Sequence, residues 1–450
     1  MFIKCRHMFI LPVIAILIAM TVSCNPDWKD EMMPDNFPET NGGSIPDRDI
    51  QTDTRKVMIL YSAGFNSISN YLKEDIEDLG KGWLPRERRG DDVILVYSHQ
   101  PAKRGQYVEM TEPVLFRIYS QSDGTMVRDT LMTYEAGTIS ASAGQFNNVL
   151  TYVKDHFPAK SYGLLFSSHA TGYLPSGFYT NPSGYTFSEG MLHSMSMTGI
   201  RNPSPVPYIE LEQSPDLPAV KSIGQDVHGK LSYEMDIRDF ADAIPMKFDY
   251  ILFDACLMGG IEVAYELAGK CDKVGFSQAE VLAEGFNYTT LASHLLGNKA
   301  QSDPYEVCYD YFIQYDNQTG VNRSATISLI DCNSLEDLAH VCKELFAKYS
   351  DRISSMNAAG VQRFYRASHH WFYDLASILQ NAGMDNAEEN RLNAALDKCV
   401  LYKGATPSFM GEFSINTFSG FSMYLPSNGN TELNKYYKTL KWNQATGLVK

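Results

Sequence analysis

Two residues of this 450-residue chain have the types and surroundings for nucleophilic chemistry, Cys256 and His169. Cys256 closes the run Phe248-Asp249-Tyr250-Ile251-Leu252-Phe253-Asp254-Ala255, whose aromatic and branched residues predict a buried strand. Gly259 and Gly260 break the run, and Ile261 to Leu267 continues at helical spacing. The thiol is therefore expected where a strand ends and a helix is about to begin. In open α/β sheets, ligands bind outside the carboxyl ends of the strands. A helix N-terminus nearby favours the thiolate, the form that attacks. His169 stands in the same kind of place, in Ser167-Ser168-His169-Ala170-Thr171-Gly172, at the end of the run Tyr162 to Phe166. If the two strands are neighbours, both side chains open on one crevice. The imidazole can then take the thiol proton and later return it to a leaving amine. Taken alone, each residue has a plainer alternative: a buried structural Cys, a surface His.

The elements around them alternate. Strands are predicted at Val57–Tyr61, Val93–Tyr97, Val114–Tyr119 (hairpinned to Asp129–Tyr134), Tyr162–Phe166, the run before Cys256, Lys273–Ser277 and Ala325–Ile330. Helices are predicted at Ile68–Leu79, Gln145–Phe157, Met235–Ile244, Tyr305–Tyr315, Leu335–Tyr349 and Glu388–Val400. Such alternation implies a mainly parallel sheet covered on both faces. Phe421–Leu425 is predicted as a late strand ended by Pro426. Ala170 to Gly229 is rich in Gly, Pro, Ser and Tyr, and so long an irregular stretch is a functional or a disordered loop. His369, His370 and Trp371 make a cluster that an aromatic packing helix explains.

Composition bounds the function. A net charge of −15 argues against nucleic acid as a partner. An apolar content of 44%, with 12% aromatic, fits a globular protein with a sizeable core. Lys4, Arg6 and His7 precede the apolar run Met8 to Met20, and Thr21-Val22-Ser23-Cys24 closes it. This pattern is a signal peptide over residues 1–23. The position of Cys24 resembles a bacterial lipoprotein box, which implies lipidation there and an anchor in the bilayer without a span. Residues 25–55, polar and rich in Pro and Gly, read with Cys24 as a disordered tether. Cys256, Cys271, Cys308, Cys332, Cys342 and Cys399 match no zinc pattern, and their pairing is not readable from spacing.

Beyond single residues, the chain resembles the clostripain-like cysteine peptidases, a family in the clan of caspases, legumain and gingipains. Ser168-His169-Ala170-Thr171-Gly172 and Asp254-Ala255-Cys256-Leu257-Met258 carry the resemblance. Met58 to Asn66, Phe276-Ser277-Gln278, Glu284 to Tyr288 and Gly420 to Pro426 extend it, from about Lys56 to the C-terminus. The fold this implies is α/β: a caspase-like three-layer sandwich with a mainly parallel central sheet over residues 56–330. A C-terminal helical extension with a returning strand would follow over 331–450. The activity it implies is an endopeptidase of the bacterial cell envelope, cleaving proteins or peptides after Arg or Lys. Cys256 would form the acyl-enzyme and His169 act as acid and base. The N–H groups of Ala170 and Cys256 would form the oxyanion hole. Asp254 and Glu284 would line the pocket for the basic side chain; alternatively Asp254 caps the next helix and Glu284 is a loop acid. The resemblance also implies self-cleavage in the loop after His169, where Arg201 and Lys221 offer basic sites. No cofactor or metal is required; some members respond to calcium, and no EF-hand pattern is present. Ala170 stands where the family has Gly, and Phe286 where it has Trp. A family member that has lost catalysis and binds a peptide, glycan or partner protein is the competing reading.

Overall fold

The computed structural model describes residues 56–87, 91–104, 107–109, 111–188, 217–220, 226–228, 231–297, 301–366 and 370–450. Cys24, Arg201, Lys221 and His369 lie outside them. Nine strands form the main sheet: β1 (Lys56–Ala63), β2 (Val93–His99), β3 (Val114–Ser120), β4 (Met126–Thr133), β5 (Ser161–Ser167), β6 (Phe248–Asp254), β7 (Cys271–Phe276), β8 (Thr326–Asp331) and β9 (Val400–Ala405). Their order is β9-β8-β7-β6-β5-β1-β2-β3-β4. The five central strands, β7 to β2, run parallel, while β3, β4, β8 and β9 add antiparallel edges. β1 and β2 are buried along nearly their whole length, as the unbroken apolar runs require of strands covered on both faces.

The chain leaves β1 for β2 on one side and returns through β5, β6 and β7 on the other. The order thus switches between β1 and β5, and the carboxyl ends there open the crevice where such sheets bind ligands. Helices form layers over the sheet. α1 (Ser69–Lys81), α5 (Tyr288–Leu295) and α6 (Pro304–Asp316) touch in succession. A second group joins α2 (Ala143–His156), α3 (Ile237–Asp242), α4 (Ile261–Glu266), α7 (Leu335–Ser354) and the C-terminal helix Lys441–Thr446. Ser142 caps α2 by accepting from the Gln145 N–H, and Asp303 caps α6 through the Glu306 N–H.

Three details differ from expectation. Val400 does not end a helix but begins β9, because Leu401 and Lys403 face outward while Gly404 is buried, a strand alternation short enough to be masked by the preceding helix Asn386–Cys399. Ser422–Met423 does form a strand, but it pairs with Tyr373–Asp374 outside the main sheet. His370 and Trp371 lie in no helix. Trp371 packs edge-on against Phe178 and Tyr179, and its carbonyl accepts from the Tyr173 hydroxyl at 2.5 Å.

The C-terminal region is fastened to the turn after Cys256. Ser422 donates its N–H to the Gly259 carbonyl at 2.8 Å. Glu262, fully buried in the first turn of α4, accepts from the Tyr424 N–H at 2.9 Å and the Tyr437 hydroxyl at 2.6 Å. Burial outweighs these two donors and raises its carboxyl to about 7. In an unfolded chain this group ionises near 4.3, so the native state alone keeps its proton between about 4.3 and 7. Its contribution is full below that window and falls as pH rises through it. We expect Glu262→Gln to be favoured over wild type at pH 8 by up to about 3 kcal/mol, with the difference shrinking toward pH 4.5. Urea unfolding of both proteins at the two pH values measures this; a pH-independent difference would contradict it.

Candidate active site

Cys256 and His169 are delivered by neighbouring strands. β5 and β6 pair in parallel, with Ser167 opposite Asp254, so each candidate residue lies two positions beyond the last paired residue of its strand. The two turns meet. Gly172 sits at φ +62°, and a Cβ there would lie 2.4 Å from the Leu257 carbonyl oxygen. Leu257 itself has φ +62°, a conformation that costs a branched side chain and recurs at functional turns. Its N–H donates to the Ala279 carbonyl at 2.9 Å, and the Gly259 N–H donates to Ser277 at 2.7 Å. The turn carrying Cys256 is therefore held from both sides.

His169 is 2% exposed. Its Nε2 lies 3.2 Å from the Ser67 hydroxyl, contributed by the turn after β1, and Ser168 donates to the Ala63 carbonyl at 2.7 Å. His169 and Ala170 line a cavity of about 50 Å³ that Phe166, Thr171, Glu234 and Met258 help to close. The floor of the crevice at the sheet switch is thus present at the imidazole.

The thiol is not open on it. Cys256 is 0% exposed. The segment after β7 crosses over it, and the Val281 N–H donates to Sγ at 3.0 Å. That cover is pinned in turn: Val220 bridges Leu282, and the Ala283 N–H donates to the Ala219 carbonyl at 2.8 Å. Burial first, and the neighbouring Glu280 carboxylate second, hold the Cys256 thiol well above its ordinary range. The expected thiolate at a helix N-terminus is therefore corrected for this state. α4 begins five residues further on, is only six residues long, and cannot offset the loss of water around the sulfur.

Asp254 is fully buried and accepts from the Ser167 hydroxyl at 3.1 Å and the Tyr288 hydroxyl at 2.7 Å. It does not cap α4, whose first turn has no side-chain cap. It ties the ends of β5 and β6 to the start of α5. Glu284 is exposed, next to Gly285 in a left-handed turn. Missed altogether was a buried ion pair, Arg366 with Glu280, the residue just before Val281. The Arg and Glu stand 86 positions apart, and no local pattern links them.

Peptidase C11, the clostripain family, matches residues 210–447, more than half of the chain. The chain belongs to the clostripain family. It is a cysteine peptidase by that membership. No curated protein matches it. Among solved structures it is similar to an inactive zymogen of a C11 protease from Parabacteroides distasonis, at 26% identity and TM-score 0.67, covering 88% of this chain and 99% of that one. A secreted C11 cysteine protease from Bacteroides thetaiotaomicron, in complex with an irreversible peptide inhibitor, has the same fold at 23% identity and TM-score 0.66, over 87% of this chain and 99% of that one. The clostripain match begins in the stretch before β6 and so includes Cys256, while His169 precedes it.

Proposed function

We propose that this clostripain-family chain is an endopeptidase of the cell envelope that cleaves after Arg or Lys, with Cys256 as nucleophile and His169 as acid and base. The observation that carries the reading is the parallel pairing of β5 and β6. It sends the two residues out of the sheet at matching positions, into turns that touch at Gly172 and Leu257. With the thiol uncovered, an imidazole in that place removes its proton during attack. N–H groups of Cys256 and Ala170 would then receive the developing oxyanion, typically worth ~10²–10³ in rate per donor.

The closed thiol fits a precursor form, as in the Parabacteroides relative described as an inactive zymogen. Lys221 directly follows Val220, which is bridged to the cover at Leu282. A cut after Lys221 would free the chain end next to that bridge, and Arg201 is the other candidate for cleavage. Cys24 would hold the enzyme on the membrane by its lipid, and calcium is a candidate activator. No helix among the described residues is long and apolar enough to cross a membrane.

The test is turnover of fluorogenic peptides ending in Arg, Lys or Leu, under reducing conditions, with calcium or with chelator, on intact and on nicked chain. Release from the Arg and Lys peptides only, rising at least tenfold after nicking, is expected. Burial of Cys256 favours a second reading, a non-catalytic binder of peptide, glycan or partner protein. No turnover in any condition, with the thiol still unmodified by iodoacetamide after nicking, would overturn the peptidase reading and favour that one.

A further inference from the structure

A cavity of about 590 Å³ lies in the C-terminal region, with Gln362, Arg363, His370, Tyr373, Phe413 and Asn428 in its wall. It shares no residue with the cavity at His169. Its size is that of a small-molecule site. Among the described residues no acidic side chain lines it, and Arg363 is its one fixed positive charge. Arg363 donates from Nη1 to His370 Nε2 at 2.6 Å. A guanidinium has no lone pair to offer, so the imidazole accepts there and is neutral. Nη2 reaches the Glu412 main-chain carbonyl at 3.4 Å, and the guanidinium carbon lies 5.9 Å from the centre of the Phe413 ring. No carboxylate pairs with Arg363 among the described residues. In a chain of net charge −15, this cation is held by a neutral ring, a carbonyl and an aromatic face. Those partners fix the plane of the guanidinium and leave its charge uncompensated.

The rest of the wall offers side chains rather than main chain. Gln362 donates from Nε2 to the carbonyls of Arg363 and Ser414, both at 2.9 Å. Its Oε1 accepts from the N–H groups of Asn416 at 2.8 Å and Thr417 at 3.4 Å. The main-chain groups facing Gln362 are thus taken, and a peptide could not pair with them as an added strand. What remains is hydroxyl and amide chemistry. Asn428 spends both amide hydrogens, on the His370 carbonyl at 2.5 Å and the Tyr373 hydroxyl at 2.7 Å, which leaves its carbonyl oxygen to accept. Burial pushes the Tyr373 hydroxyl up to about 12, so it keeps a proton to donate. We propose that this cavity binds a sugar bearing an oxyanion, a uronic acid or a sulfated sugar, with Arg363 on the oxyanion and Tyr373 and Asn428 on ring hydroxyls. The guanidinium fork matches two oxygens of a carboxylate or a sulfate. The anion supplies the charge that Arg363 lacks, while an amide oxygen and a phenol suit hydroxyls, which both donate and accept. Binding here is independent of Cys256, so a catalytically silent chain would hold an acidic glycan as well.

The test is titration of the full chain, followed by ligand-observed NMR, with glucuronate, glucose 6-sulfate, glucose, acetate and N-acetyl-alanyl-alanine. At least one acidic sugar is expected to bind with a Kd below about 10 mM, and at least ~10-fold more tightly than glucose, acetate or the peptide acid. Which of the two acidic sugars binds tells whether the site takes a carboxylate or a sulfate. Arg363→Gln is expected to weaken that sugar at least ~10-fold. Ser414 lines the cavity with an exposed side chain, so Ser414→Glu keeps the fold and is expected to weaken the anion by a similar factor through like-charge repulsion. Failure of both acidic sugars to bind overturns the proposal. Glucose binding as tightly as the acidic sugars removes the role of the charge, and acetate or the peptide acid doing so removes the sugar. Wild-type affinity in both variants takes the site away from Arg363.

Discussion

On the proposed dyad, Cys256→Ala is expected to remove essentially all peptide turnover, a loss of at least ~10⁴ in kcat/KM, while the fold is kept. The loss is large because no other described thiol stands at this turn. Cys271, Cys308, Cys332, Cys342 and Cys399 are all buried in other parts of the core. The cost to stability is small by comparison, about 1 kcal/mol, since the Val281 N–H loses its sulfur acceptor and a small void opens. His169→Ala should fall almost as far. The double variant should fall no further than Cys256→Ala, because a nucleophile and its base act as one unit. Stopped assays on the three proteins decide the matter. Additive losses, or a Cys256→Ala protein that still turns over peptide, would remove the dyad.

Gly172→Ala should cost about 3 kcal/mol in stability and on the order of 10²-fold in kcat/KM. Two effects add. The left-handed φ of +62° disfavours any side chain, and the new methyl would sit 2.4 Å from the Leu257 carbonyl, a backbone atom with nowhere to go. The clash separates the turn of His169 from the turn of Cys256. Gly411 provides the control. It has φ +72° with nothing within 4 Å of a Cβ, so Gly411→Ala carries the conformational cost alone, about 1 kcal/mol, with no change in turnover. Equal stability losses in the two variants would show that the turns do not bear on each other.

Much of this molecule was legible in its sequence. The runs at Val57, Val93, Val114, Tyr162, Phe248, Val274 and Thr326 are long, apolar and bounded by turn residues, and each is a strand of the sheet. The same runs placed Cys256 and His169 just past carboxyl ends, because each residue follows directly on an apolar stretch of strand length. β9 was not legible. Its period-2 pattern begins at the last turn of a helix, and six residues do not separate the two periods.

What the sequence determined is the set of strands and the two residues at their ends. These depend on neighbours a few positions away, where hydrophobic spacing acts. Tertiary structure alone decided that β5 lies beside β6, that Val281 covers the thiol, and that Arg366 meets Glu280 across 86 positions. Those are contacts between segments far apart in the chain. They are set by which buried surfaces and charges fit together once the core has formed, and no local pattern records them.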